Sequence, residues 1–253
     1  MDINNELKEF TTYTNSFLEY GEKITLKIEH TKRVVDLSEF LAKTINLNEE
    51  EIYVAKLIGL LHDIGRFKQW KEYKTFADSK SIDHADLGVD ILKDNNYLRK
   101  YNRLKEYDDI ILDSIKYHNK LNIPTNLSKD KEKFIKLIRD ADKIDILYLY
   151  TTGDISLELD NEFSNDIYNS LINRKAINRK KVKNVTDRLS ISLGFIFDIN
   201  YYDSFKYLKE KNYYNKIIEI YKNRTNNEKL KKQLEEIKIV INNYIEEMLK
   251  NAR

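Results

Sequence analysis

The chain has 253 residues, 44 of them basic and 42 acidic, for a net charge of only +2. That balance leaves no global footprint for nucleic acid or an anionic membrane, and nucleic acid is disfavoured as a partner. Zero cysteines exclude disulfides and thiol catalysis and fit a reducing compartment. Hydrophobic residues make up 41% of the chain, enough for a sizeable core despite 34% charge. Six Gly and one Pro leave little material for the turns of an all-β fold, so an all-α fold is expected. No apolar run approaches the ~20 residues a bilayer span needs, and Met1-Asp2-Ile3-Asn4 does not open like a signal peptide. A cytoplasmic protein with no membrane partner is the expectation.

Over 24–43 the apolar residues Ile28, Val34, Leu37 and Leu41 recur at a helical period, and His30 shares their stripe. A second helix is predicted from Asn48, a plausible N-cap before three glutamates, to His62, with Gly65 able to stop it. Residues 66–83 read as an irregular, aromatic-rich loop of the kind that forms a lid. Asp83 can cap a helix over 84–93 that starts with His84. Two more helices are expected, over about 108–119 with His118 on the apolar face, and from about 130 past 148 with Asp142 in register. Polar residues on core-facing stripes cost stability unless each finds a partner, and a metal is such a partner. Every histidine in the chain lies in this set. From Leu230 the positions Leu234, Ile237, Ile241 and Met248 make a short seam, which suits packing on the chain itself or a homodimer. Arg174 to Lys183 carries six basic residues and reads as a solvated face or a basic rim.

The order His30, His62-Asp63, His84, His118, Asp142, with Leu61-His62-Asp63-Ile64-Gly65-Arg66 and Asp140-Ala141-Asp142-Lys143 around it, resembles the HD superfamily of metal-dependent phosphohydrolases. The resemblance covers residues 24–150 and implies an HD-type helical bundle. A single domain over 1–253 is expected, its core at about 24–150 and a helical extension over 151–253. The resemblance further implies two divalent transition-metal ions, with Fe, Mn, Zn, Co or Ni all open. His30, His62, Asp63 and Asp142 would hold the first, and Asp63, His84 and His118 the second, Asp63 bridging. Imidazole and carboxylate suit such borderline metals. Adjacent helical residues diverge by about 100°, so His62 and Asp63 can face one centre only where the backbone bends. Asp140 and Asp145 are rivals for the Asp142 position, Asp145 alternatively as an acceptor that orients a histidine.

Catalysis would then fall to Asp63 and the metals, with Lys143 on the phosphate of a nucleotide or other small phosphate ester. Arg66 and Arg33 are further phosphate contacts, or else surface salt-bridge residues. Two other functions share the ligand set: a mixed-valent di-iron oxygenase, and a ligand-sensing module without turnover.

Overall fold

The computed structural model describes residues 1–159 and 161–251, and no strand occurs among them. The chain divides into two compact units, Met1–Asp142 and Lys143–Arg253, with the division inside one long helix. In the first unit the helices are α1 (Asn4–Asn15), α2 (Glu22–Thr44), α3 (Glu49–Leu61), α4 (Ile64–Tyr73), α5 (His84–Lys93), α6 (Asp108–Tyr117) and the larger part of α7 (Lys129–Thr152). The predicted boundaries hold within a few residues for α2, α3, α5, α6 and α7.

Local chemistry explains the starts. Asn48 accepts from Glu51 N while Glu51 returns the bond to the Asn48 amide, a reciprocal capping box. Asp83 accepts from the amides of Ala85 and Asp86, which sets His84 as the first residue of α5.

Two expectations are corrected. Residues 66–83 are not one loop, because α4 carries the chain to Tyr73 and only 74–83 is irregular apart from a short turn at Asp78–Lys80. Ile64 and Phe67, spaced three apart and fully buried, supply the inward face that charged neighbours concealed. Gly65 does not stop α3. The bend falls at Asp63 (φ −107°, ψ 16°), and Gly65 sits in the first turn of α4. There a Cβ would collide with the carbonyl of His84 and approach the amide of Gly88 to 2.7 Å, so glycine is required by the close crossing of α4 and α5.

α2 packs on α3, α5 on both α4 and α6, and α3 also on α6. The core runs through Val34, Leu41, Leu57, Leu60, Ile64, Leu92, Ile111 and Ile115, all fully buried. The N-terminal helix, outside the predicted core, is part of this unit: Phe10, Tyr13 and Phe17 surround Phe67 with ring centroids 5.7–6.0 Å away.

The second unit contains α8 (Asn165–Ile172), α9 (Val185–Leu193), α10 (Tyr202–Lys211), α11 (Tyr213–Arg224) and α12 (Glu228–Asn251). The seam of α12 is buried at Leu230, Leu234, Ile237, Ile241 and Ile245, and α8, α10 and α11 pack against that helix. Those five positions are therefore covered within the chain, while Met248, the last position of the seam, is half-buried. The Arg174–Lys183 cations are exposed, Arg174 paired with Glu247 and Lys183 with Asp166.

Candidate metal centre

Six residues from four helices and one helix junction converge inside the first unit. His30 comes from the middle of α2, His62 and Asp63 from the α3–α4 junction, His84 from the start of α5, His118 from the end of α6 and Asp142 from α7. The four imidazoles are at most 3% exposed and Asp63 is equally buried.

The geometry divides them into two groups on the two oxygens of Asp63. His30 Nε2 and His62 Nε2 each lie 3.6 Å from Oδ2, and 3.3 Å from one another. His84 Nε2 and His118 Nε2 lie 3.3 and 3.8 Å from Oδ1, and 3.0 Å from one another. Asp142 Oδ1 completes the first group, 3.2 Å from His30 Nε2 and 3.7 Å from His62 Nε2. Both His30–His62–Asp63 and Asp63–His84–His118 are tight enough to hold a metal ion. Of the rivals to Asp142, Asp140 is fully buried, so it does not face solvent, and Asp145 lies beyond the division of the units.

The outer nitrogens show why this cluster calls for a cation. His62 Nδ1 donates to Gly59 O at 2.8 Å and His118 Nδ1 to Ile115 O at 2.7 Å. His84 Nδ1 donates to the Asp78 carboxylate at 2.9 Å. With the proton on Nδ1, a neutral imidazole has only a lone pair at Nε2. The Nε2 atoms of His84 and His118 thus bring two lone pairs together beside a carboxylate oxygen, an arrangement that divalent cations satisfy and hydrogen bonding between the rings does not.

Electrostatics agree. Burial, then the neighbouring His84 and His62, pushes protonation of His118 well below the usual imidazole range, so it is neutral and ligand-competent. Burial alone would raise the Asp63 carboxyl, but Lys27, His62, His30 and His84 outweigh it and hold it well below the usual carboxylate range. Burial likewise opposes, and His30 and His62 overcome, at Asp142.

Several supporting residues escaped the sequence reading. Lys27, one turn before His30, places Nζ 2.6 Å from Asp63 Oδ2. Its spacing of three from His30 was the available signal. Asp78, in the irregular segment, orients His84 and is itself held by Arg66 and Gln69. Nothing periodic marks it. Arg139, one turn before Asp142 and 2% exposed, donates through Nη1 to the carbonyls of Tyr117, His118 and Lys120, and so clamps the end of α6 that carries His118.

The predicted phosphate contacts are engaged within the chain. Arg66 Nη1 donates to Asp78, Gln69 and the carbonyl of Phe76 at 2.6–2.9 Å. Lys143 is 6% exposed and pairs with Asp198 at 3.0 Å. Arg33 is half-buried on α2.

Residues 28–147 match the family described as HD domain. This stretch of the chain is an HD domain. The match spans His30 through Asp142 and so contains the whole cluster. HD domains bind divalent metals and are typically metal-dependent phosphohydrolases, which accords with the donor set. No curated protein and no solved structure matches the chain at a significant level.

Proposed function

We propose that the protein is a metal-dependent phosphohydrolase or phosphodiesterase acting on a nucleotide or other small phosphate ester. The observation that carries this reading is the division of four imidazole nitrogens between the two oxygens of one buried carboxylate, Asp63. In this reading His30, His62, Asp142 and Asp63 would hold one divalent ion, and Asp63, His84 and His118 another. Such ions would supply acidified water and positive charge to phosphoryl oxygens. Asp63 has the central role because its two oxygens span both groups, and its negative charge offsets part of that of two cations.

The remaining residues position. Asp78, Gly59 O and Ile115 O fix the imidazole tautomers, and Arg139 fixes the end of α6. Lys143 is assigned to substrate phosphate, for which it exchanges the Asp198 carboxylate for another anion. Arg33, one turn after His30, is a second such contact. Arg66 is assigned to holding the 74–83 segment, because its Nη1 is saturated there.

The test is release of phosphate or monophosphate from a nucleotide panel by protein loaded in turn with Mn, Fe, Co, Ni or Zn. Turnover that disappears in Asp63→Ala is expected. A protein carrying two ions per chain that cleaves none of the panel would count against the phosphohydrolase reading.

A further inference from the structure

Solvent reaches the cluster unevenly. The imidazoles are sealed, whereas the side chains of Asp142 and Lys27 remain 16% and 20% exposed. Beside Lys27 stands Phe76, with the Lys27 Nζ 5.8 Å from its ring centroid. Arg66 brackets the same ring from the other carboxylate oxygen, its Nε 3.4 Å from Asp63 Oδ1 and its guanidinium carbon 5.8 Å from the ring. Each oxygen of Asp63 is thus linked to the neighbourhood of Phe76 through one cationic side chain.

The ring is half-exposed yet tied on several sides. Trp70, the only tryptophan of the chain, stacks on it at 4.7 Å with a 34° tilt and is itself anchored through Nε1 to Tyr20 O at 3.1 Å. The backbone of Phe76 is held by Arg66 at 2.6 Å. A phenyl ring fixed this way at the accessible edge of a carboxylate–imidazole cluster is a preformed apolar contact surface. The rim beyond it is cationic, with Lys74 4.1 Å and Lys71 5.7 Å from the ring of Tyr20.

We infer that Lys27 and Phe76 form the substrate subsite of this centre. Lys27 takes a phosphoryl oxygen of the bound ester, and Phe76 packs against an apolar or aromatic leaving group. The ammonium has three donors, of which Asp63 takes one, so it can bridge the carboxylate to an anion. The exposed part of the ring that Trp70 leaves uncovered offers apolar contact to a planar group, a nucleobase included. The substrates favoured are therefore anionic phosphate esters with a planar or apolar alcohol portion over small polar ones. This inference rests on the phosphohydrolase reading.

Titration calorimetry of the metal-loaded protein with inorganic phosphate, methylphosphonate and phenylphosphonate tests it without turnover. The wild type is expected to bind phenylphosphonate more tightly than methylphosphonate. Phe76→Leu, and Phe76→Ala as a second variant, should shrink that ratio about five- to tenfold and leave inorganic phosphate unchanged. Lys27→Gln should weaken all three probes roughly tenfold or more with metal content intact, as expected for loss of a charge-assisted hydrogen bond. An unchanged ratio in both Phe76 variants, or unchanged phosphate affinity in Lys27→Gln, would overturn the subsite while leaving the phosphohydrolase reading in place. A Lys27→Gln protein that takes up no metal would assign Lys27 to holding Asp63 and overturn the subsite too. A metal-loaded wild type with no affinity for any of the three anions would overturn both.

Discussion

Asp63 is a carboxylate under two opposing demands. It is sealed from water among four imidazoles, yet the Lys27 ammonium beside it favours its ionised form. Burial by itself makes an unliganded carboxylate costly, so its removal would relieve a desolvation cost. The ion pair with Lys27 reverses that sign, because Asp63→Ala strips a partly buried ammonium of its partner. Without metal, Asp63→Ala is expected to melt lower than wild type, by order 1–3 kcal/mol, and thermal denaturation should show no gain on adding metal while wild type gains. His118 gives a pH signature. Its folded state resists protonation, so the unfolded chain binds more protons once pH falls below about 6.5. Stability of the metal-free protein should be full above that pH and decline as pH drops through it. His118→Gln should flatten the decline in a melting series, and an equally steep fall in the variant would refute the assignment.

At the scale of elements, the α3–α4 junction does the most for the site. A bend at one residue lets the adjacent His62 and Asp63 face the same centre, and α4 resumes at once. Its crossing with α5 is close enough that Gly65 admits no side chain, and the contacted atoms are backbone of the very turn that carries His84. Gly65→Ala should therefore cost about 2–4 kcal/mol, in the range of overpacked cores and beyond. It should also lower metal occupancy, since α5 can yield only by displacing His84. Denaturant melts and elemental analysis of the folded fraction check both halves. A cap is a milder case: Asn48→Ala removes one half of a capping box at the exposed start of α3 and should cost about 1 kcal/mol with metal content unchanged.

Across the whole molecule, the six clustered residues all fall within Met1–Asp142, while the second unit has its own core around α12. Stability and site chemistry should separate accordingly. Leu234→Ala, at a fully buried position of that core, should destabilise by about 2–5 kcal/mol through the cavity it leaves. The folded protein should still bind the wild-type number of ions. Loss of metal from a folded Leu234→Ala protein would show that the second unit supports the site directly.

The helical class, most helix boundaries and both caps could be read from the chain, because each leaves a local signature, whereas the six clustered residues were singled out by the family resemblance. Apolar residues recur every three or four positions, a capping residue sits next to the helix it starts, and four histidines all fall on such stripes or at helix ends. What escaped was whatever depends on partners distant in sequence. Nothing local tells that Gly65 faces the backbone of α5, that Asp78 orients His84, that Arg139 clamps the end of α6, or that Arg66 is consumed by the segment it precedes. The sharing of Asp63 between two histidine pairs was implied by the family resemblance, and no local signature of the chain carries it. Sequence periodicity decides which face of a helix turns inward, whereas which atoms meet there is decided only when separate helices pack, and at this site that packing sets the chemistry.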